Sequence, residues 1–226
     1  MNTLPVPTSS IHAAGLTNVG RVRKNNEDAW LADSRRGVFI VADGIGGHVG
    51  GEIASSLATQ IAYRVLTQQD VIAPGERLRG AFKAANHEVQ QRAAADRAVH
   101  GMGTTLAALV LSGREAWVAH TGDSRVYLLR KQALMRLTVD HAHHDGVLMH
   151  AIGLDEPTFV SMKVLTIHAG DVFLLCTDGL TNAIPEAQIA FELEKRKPVE
   201  TLCRGLVQGA LDAGGRDNVT VVVVRV

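Results

Sequence analysis

The stretch Val38-Phe39-Ile40-Val41-Ala42-Asp43-Gly44-Ile45-Gly46-Gly47 is the point from which the rest of the chain can be interpreted. Five apolar residues are followed at once by an aspartate and a glycine-rich loop, which predicts a buried strand ending at Ala42. Asp43 then stands at the mouth of the strand, where a carboxylate can leave the core and meet a cation. We expect the glycines to supply positive φ angles and to let the backbone approach a ligand closely. A single Asp-Gly after a strand is usually only a turn. It indicates a functional site only if other strands of the chain also end in an aspartate.

Length and composition indicate a globular protein. The chain has 226 residues, 46% of them hydrophobic and 20% charged, so we expect a flexible tail over residues 1–11 and a single domain over residues 12–226. Lysine plus arginine equals aspartate plus glutamate, 23 of each, which argues against a broad basic face for nucleic acid.

No targeting or membrane segment is evident in the sequence. No apolar run is long enough to cross a bilayer, and Met1 to Ser10 lacks the basic start and apolar centre of a signal peptide. The only two cysteines, Cys176 and Cys203, are expected to be reduced thiols. These features predict a cytoplasmic monomer that binds neither nucleic acid nor membrane.

The periodicity of apolar residues predicts an α+β protein with antiparallel sheets. Helices are expected over 52–69 and 76–97, and two more between Pro185 and Ala213; the stripe Ile53, Leu57, Ile61 and Val65 should pack in the core. Strands in succession, with the helices in consecutive pairs, argue against a doubly wound α/β fold. The strands are expected at 12–19, 29–32, 38–42, 104–111, 116–120, 125–130, 159–167, 172–176 and 219–226.

Three later aspartates repeat the arrangement of Asp43. Asp123 lies in a turn between two strands, Asp178 follows a buried strand and precedes a glycine, and Asp217 stands just before the last strand. If the sheets stack, these strand ends can converge at one edge, where clustered carboxylates would repel one another unless cations neutralise them. Oxygen ligands without nearby cysteine suit Mg²⁺ or Mn²⁺, and two such ions about 4 Å apart are a common device for phosphoryl displacement. The residues alone therefore predict a metal-dependent phosphohydrolase.

The polar segment Gly20 to Asp28 admits two interpretations. It can be a solvated connection between strands. It can also contribute an anion contact through Arg23 beside a metal-facing carboxylate at Glu27.

Seven ordered motifs together resemble the metal-dependent protein phosphatases (PPM, the type 2C serine/threonine phosphatases) in their compact bacterial form. The resemblance covers residues 12–226 and implies two antiparallel sheets packed as a central sandwich, with helix pairs on the outer faces. The motifs are Arg23-x-x-x-Glu27-Asp28, Val41-Ala42-Asp43-Gly44-Ile45-Gly46-Gly47, Gly101-Met102-Gly103-Thr104-Thr105, Gly122-Asp123-Ser124-Arg125, Leu137-Thr138-x-Asp140-His141, Thr177-Asp178-Gly179 and Asp217-Asn218.

The resemblance implies a set of metal ligands. Asp43 would bridge two core ions, Mn²⁺ or Mg²⁺, and Gly44 would add its carbonyl oxygen. Asp178 and Asp217 would complete the coordination of the first ion. Asp123 would bind a third, weaker ion shared with Asp178.

The resemblance also implies how the reaction proceeds. Arg23 would hold the substrate phosphate, Glu27 would contact the second ion through water, and Asp28 would lie behind these groups without touching an ion. A water or hydroxide bridging the two ions would attack phosphoserine or phosphothreonine directly, so neither the cysteines nor Ser124 would be a nucleophile. The partners would be phosphorylated proteins, in signalling by a bacterial Ser/Thr kinase and its substrates.

Two departures from the family pattern leave questions open. Some members carry a histidine directly after the Asp-Gly, as an acid for the leaving group; this chain has Ile45 there, and His48 lies three residues on. Either His48 or a metal-bound water would serve, or no acid would be needed. The family's flap is also nearly deleted, because only residues 142–150 separate the Asp-His motif from Ala151-Ile152-Gly153, and His150 replaces an arginine.

The shortened flap suggests an open cleft with few contacts to flanking substrate residues. Its histidines, which are His141, His143, His144 and His150 around Asp145, are expected to be solvated; a Zn²⁺ or Ni²⁺ site, or a phosphate contact, is the alternative. A pseudophosphatase that binds phosphoproteins without hydrolysis is the alternative to an enzyme, although Asp43, Asp178 and Asp217 are all present. A Ca²⁺-stabilised structural domain would need loops of alternating carboxylates, which are not seen.

Overall fold

Two antiparallel sheets form the centre of the fold in the computed structural model, which describes residues 11–45, 50–68, 72–144, 146–154 and 157–226. The first sheet has the spatial order β1 (His12–Asn18), β11 (Val219–Arg225), β10 (Val172–Cys176), β7 (Arg125–Arg130) and β8 (Ala133–Arg136). The second has the order β2 (Asp28–Asp33), β3 (Val38–Ile45), β5 (Leu106–Ser112), β6 (Glu115–Thr121) and β9 (Ser161–Thr166), and the two-residue β4 (Gly103–Thr104) pairs with the end of β3.

Helices cover the outer face of each sheet. The helices α1 (Gly51–Leu66) and α2 (Pro74–Ala95) share a hydrophobic core with the second sheet. The helices α4 (Glu186–Glu194) and α5 (Val199–Asp212) share another with the first sheet. A four-residue helix, α3 (Asp178–Thr181), follows β10 directly, and a short 3₁₀ turn spans Arg97–Val99.

Alternation within each central strand divides the apolar side chains between two cores. In β3, Phe39 and Val41 point into the core between the two sheets, while Val38, Ile40 and Ala42 point toward α1 and α2. Both faces of this strand are therefore buried, which explains why its sequence is an unbroken apolar run rather than an alternating one. The last strand, β11, is built in the same way.

The structure confirms the α+β prediction and corrects several details. The strand β3 does not stop at Ala42 but continues to Ile45, because Gly44 and Ile45 pair with β4. The strand expected at 104–111 is interrupted at Thr105, and the elements β4, β8 and α3 were not predicted. In α1 the side chains of Ala54, Ser55, Ala58 and Ala62 are fully buried and Ile61 is also buried, whereas Ile53, Leu57 and Val65 are only partly buried.

Two further expectations concern the chain end and membranes. The predicted tail lies outside the described residues, except for Ile11. Over the ranges given above, no helix combines the length and the hydropathy needed to span a bilayer.

Candidate metal centre

The structure brings the predicted site residues to one cavity at the edge of the two sheets. Its volume is about 320 Å³, and every predicted site residue except Asp28 lines it. Those seven are Arg23, Glu27, Asp43, Gly44, Asp123, Asp178 and Asp217. The convergence follows from topology, because β3, the β6–β7 turn, β10 and the segment before β11 all end on this side.

Asp43 is held by a backbone clamp where β3 meets the break between β4 and β5. The Asp43 N–H donates to Thr105 Oγ1 at 2.9 Å, and the Thr105 N–H donates to the Asp43 carbonyl at 2.8 Å. The Thr104 hydroxyl donates to the same carbonyl at 2.8 Å. The interruption of the strand at Thr105 therefore serves to fix the backbone of Asp43.

Gly44 is required for close packing rather than for an unusual backbone angle. It is not among the residues with positive φ, which corrects the reason given for glycine at this position. A Cβ at Gly44 would collide with the carbonyl group of Gly51 and would approach the Glu27 carbonyl to 2.7 Å. The first turn of α1 therefore packs directly against the end of β3.

Asp28 lies behind the cavity, directly opposite Asp43 on the neighbouring strand. Its Oδ2 accepts hydrogen bonds from Thr177 at 2.9 Å and from Thr220 at 2.6 Å. Its Oδ1 is buried and has no hydrogen-bond partner within the described part of the chain. Burial raises the pKa of Asp28 to about 7, and the charges of Asp178 and Asp217 add to the increase.

The other carboxyl groups show the same electrostatic conflict. Burial and the charges of Asp28 and Asp178 raise the pKa of Asp43 well above its ordinary value. Burial also raises the pKa of Asp178, and burial with the charge of Asp178 raises the pKa of Asp123 to about 6. For Glu27, burial and the neighbouring Glu52 raise the pKa. These four carboxyl groups therefore have raised pKa values, because burial and the repulsion between carboxylates outweigh the nearby positive charge.

This donor set fits divalent cations that prefer oxygen. The carboxylates repel one another, and Asp28 Oδ1 and Glu52 Oε2 are buried without a hydrogen-bond partner in the described ranges; a cation nearby would relieve both costs. In the residues that can be described, no three His, Cys, Asp or Glu side chains are arranged to hold one ion by themselves. Mg²⁺ and Mn²⁺ do not need such a cage, because sites of this kind use a few carboxylates, a carbonyl oxygen and retained waters.

Arg23 forms an ion pair with Asp217, one of the predicted metal ligands. Its Nη2 donates to Asp217 Oδ2 at 2.8 Å, and the two side chains are 55% and 36% exposed. This contact raises the pKa of Arg23. The sequence did not predict the pair, because 194 residues separate its members.

Asn218 is a site residue that the motifs contained but whose role was not predicted. Its Oδ1 accepts from the Glu27 N–H at 2.8 Å, and its Nδ2 donates to the carbonyls of Val19 and Asn25, both at 2.9 Å. One buried amide therefore fixes the loop that carries Arg23 and Glu27. The signal in the sequence was the Asp217-Asn218 pair itself.

Neither cysteine takes part in the site. Cys176 and Cys203 are buried free thiols, and burial raises their pKa values to about 12 and about 11. Both are therefore protonated and unreactive near neutral pH.

The shortened flap still reaches the cavity. Gly146 and Leu148 are among the lining residues. The segment closes on itself, because the His143 N–H donates to the Val147 carbonyl at 2.8 Å and the Met149 N–H to the His141 carbonyl at 2.7 Å. It is therefore a compact turn beside the mouth, and the expectation of an open cleft with few contacts to flanking substrate residues stays a prediction.

The expectation of solvated flap histidines is wrong for His141. His141 is buried and stacks on His120 with ring centroids 4.4 Å apart. His150 stacks on Phe159 at 4.3 Å, and the Phe159 ring meets His141 edge-on at 4.9 Å. The His141 ring therefore lies over the paired ends of β6 and β9, where it contacts His120 and Ser161. Asp145 and His48 lie outside the described residues.

The profile of the family described as protein phosphatase 2C matches residues 20–208. The chain belongs to this family. The family resemblance stated from the motifs is thus confirmed, and the chain is a metal-dependent phosphatase of the type 2C class.

Bacterial proteins are among the relatives of this type 2C phosphatase. A serine/threonine phosphatase stp of Listeria monocytogenes is 30% identical over 241 residues, which cover 95% of this chain and 96% of that protein. The structure of PppA, described as a key regulatory component of T6SS in Pseudomonas aeruginosa, is 36% identical with a TM-score of 0.88 and covers 95% of this chain and 97% of that chain.

A third relative is directly informative about metals. The catalytic domain of the serine/threonine phosphatase PstP, in complex with two manganese ions, is 31% identical with a TM-score of 0.89. The match covers 99% of each chain.

Proposed function

We propose that this type 2C phosphatase hydrolyses phosphoserine and phosphothreonine in other proteins, with two core Mn²⁺ or Mg²⁺ ions and a third, weaker ion. The observation that carries the proposal is the convergence of seven predicted residues on one cavity. The names of the relatives, which are serine/threonine phosphatases, support the substrate class.

Each side chain has a distinct task in this proposal. Asp43, Asp178 and Asp217, with the carbonyl oxygen of Gly44, would hold the two core ions, and Asp123 would hold the third. When bound, the ions would activate a water and neutralise the charge that develops on the phosphoryl group. Attack of the water on phosphorus breaks the bond to the serine or threonine oxygen and releases inorganic phosphate.

Arg23 and Glu27 orient the reactants. The Arg23 guanidinium is exposed at the cavity and can place two N–H groups on phosphate oxygens once it leaves Asp217. Glu27 would contact the second ion through water, and Asn218 keeps the Glu27 backbone in position. No histidine is among the described lining residues, so the leaving oxygen takes its proton from water or from His48, which the structure does not describe.

The test is phosphate release from a phosphothreonine peptide, measured with Mn²⁺ and again with excess chelator. Asp178→Asn should lower turnover about 100-fold or more, because it removes a charged ligand worth several kcal/mol in the transition state. Asp212→Asn is the matched control, since Asp212 is exposed and does not line the cavity. Tight peptide binding without phosphate release would establish a pseudophosphatase instead.

We also propose that the protein opposes a Ser/Thr kinase as a monomeric, cytoplasmic enzyme. The resemblance to PppA, described as a T6SS regulator, supports a regulatory role. Phosphoproteomic comparison of cells with and without the active enzyme would test this, with Asp178→Asn as the inactive reference.

A further inference from the structure

A second cavity lies at the end of the first sheet opposite the metal centre, and we call it the far-end cavity. Its volume is about 630 Å³. The strand β10 begins at Val172, which lines this cavity, and ends two residues before Asp178, which lines the metal centre. At about 3.3 Å per residue the two sites are about 20 Å apart.

The far-end cavity combines an apolar floor with a cationic rim. The floor is formed by Leu129, Val172 and Leu193, all of them buried. The lining also contains four cationic residues and one carboxylate, which are Lys131, Lys195, Arg196, Arg225 and Glu194. A floor of this kind suits a flat organic group, and the rim suits negative charge.

Most of the rim charge is not neutralised within the protein. Lys195 forms an ion pair with Glu192, but no ion pair joins Lys131, Arg196 or Arg225 to a carboxylate in the described ranges. Arg225 donates one N–H to the Lys197 carbonyl at 2.9 Å, which fixes the guanidinium and leaves its other N–H groups for a ligand.

A strained turn presents one of these cations. The two-residue connection between β7 and β8 consists of Lys131 and Gln132, with φ angles of 50° and 66°. Such a turn strongly favours Asn-Gly, and positive φ costs an ordinary side chain roughly 1 kcal/mol or more. Backbone strain of this kind is commonly retained where the side chains have a function. Here the two residues with positive φ, Lys131 and Gln132, both line the far-end cavity.

We propose that the far-end cavity binds a nucleotide-sized organic phosphate. The ring system would lie on Leu129, Val172 and Leu193, and the phosphate groups would contact Lys131, Arg196 and Arg225. The cavity volume lies within the range of about 300–1,000 Å³ that is usual for small-molecule sites. Gln132 and Glu194 offer polar groups that can select among ring systems. The distance from the metal centre means that this ligand does not compete with the phosphorylated substrate.

The test is calorimetric titration of the full chain with ADP in the presence of chelator, which keeps metal-bridged phosphate out of the metal centre. Arg196→Gln and Lys131→Gly should each weaken ADP binding about fivefold or more, because each removes a charge-assisted contact. Arg204→Gln, an exposed cation on α5, should leave binding unchanged. Arg23→Gln should also leave it unchanged, because Arg23 lines the other cavity. Pyrophosphate should bind more weakly than ADP, since it cannot cover the apolar floor.

The melting temperature of Lys131→Gly shows whether a loss of ADP affinity comes from the missing cation or from a destabilised fold. Glycine relieves the positive φ, so this variant should melt about 2–4 °C higher than the unmutated protein while it loses ADP affinity. Unchanged ADP affinity in both cavity variants, loss of affinity on Arg23→Gln, or no saturable ADP binding at millimolar concentration would each overturn the proposal. Binding of an acidic peptide in place of ADP would likewise overturn it.

Discussion

Arg23 and Asp217 form an ion pair at 2.8 Å across the mouth of the metal centre. One member is the proposed phosphate ligand and the other a proposed metal ligand, so each must release the other when the site is loaded. We therefore expect Arg23→Ala to raise KM for phosphopeptides about tenfold with a smaller effect on kcat, because a contact to a phosphate dianion acts largely in binding.

The same variant should bind Mn²⁺ more tightly. Half-exposed ion pairs are worth up to about 1 kcal/mol, so release of Asp217 should lower the Mn²⁺ dissociation constant by up to about fivefold in calorimetry. Arg21→Ala is the matched control, because Arg21 is a neighbouring exposed arginine that does not line the cavity. A fall in kcat alone would reassign Arg23 to transition-state stabilisation.

Asp28 should make the metal-free protein less stable as the pH rises. Its pKa is raised to about 7 by burial, so the folded state holds a proton that the unfolded chain releases near pH 4. Stability is therefore lost between about pH 4 and pH 7 and stays low above that range. We expect Asp28→Asn to match the unmutated protein at pH 4 and to be about 1–3 kcal/mol more stable at pH 8.

Urea unfolding in chelator at the two pH values measures this difference. Addition of Mn²⁺ at pH 8 should reduce the advantage of the variant, because the cation neutralises the carboxyl cluster. An equal gain at both pH values would point to packing rather than to charge.

The sequence predicted the centre of the sandwich well because both faces of β3 and β11 are buried and their apolar runs are unmistakable. It failed where pairing is non-local. The strand β3 extends to Ile45 because β4 reaches it from 60 residues away, and no local pattern signals such a partner. The turn at Lys131 and Gln132 lacks the glycine or asparagine that normally marks a hairpin, so β8 was missed.

The candidate site was predictable to the level of residue types but not of their contacts. Four aspartates at strand ends, taken with the family motifs, indicated a metal cluster. The contact between Arg23 and Asp217, and the clamp of Thr105 on Asp43, depend on tertiary structure alone. His141 was expected in solvent because histidine is commonly exposed, whereas its stack with His120 and Phe159 buries it.

Asp123 should affect only a weak metal site. Asp123→Ala is expected to leave the two-metal core occupied and to lower activity on protein substrates several-fold. It should not destabilise the metal-free fold, because burial and the charge of Asp178 already raise the pKa of Asp123 to about 6. Mn²⁺ calorimetry and turnover of a phosphoprotein measure the two effects, with Asp96→Ala as a control outside the cavity. Loss of a tight site instead of a weak one would contradict the assignment.

His141 should act on the same weak site through the turn that carries Asp123. The Gly122 N–H donates to His141 Nδ1 at 3.3 Å, and the His141 N–H donates to the Gly122 carbonyl at 3.0 Å. With Nδ1 accepting, Nε2 carries the proton and donates to Ser161 Oγ at 2.9 Å. The ring thus ties the turn to β9, and the turn has little freedom of its own, since a Cβ at Gly122 would press on Thr105 at 2.6 Å.

We expect His141→Leu to cost about 1–3 kcal/mol of stability, because it leaves the Gly122 N–H without its ring acceptor. It should also weaken the same Mn²⁺ site that Asp123→Ala removes. His141→Asn can return an acceptor near the position of Nδ1 and should recover part of both losses. Calorimetry and thermal unfolding of the two variants measure this. A leucine variant that keeps the weak ion would show that His141 only fills space, whereas rescue by asparagine identifies it as the residue that positions Asp123.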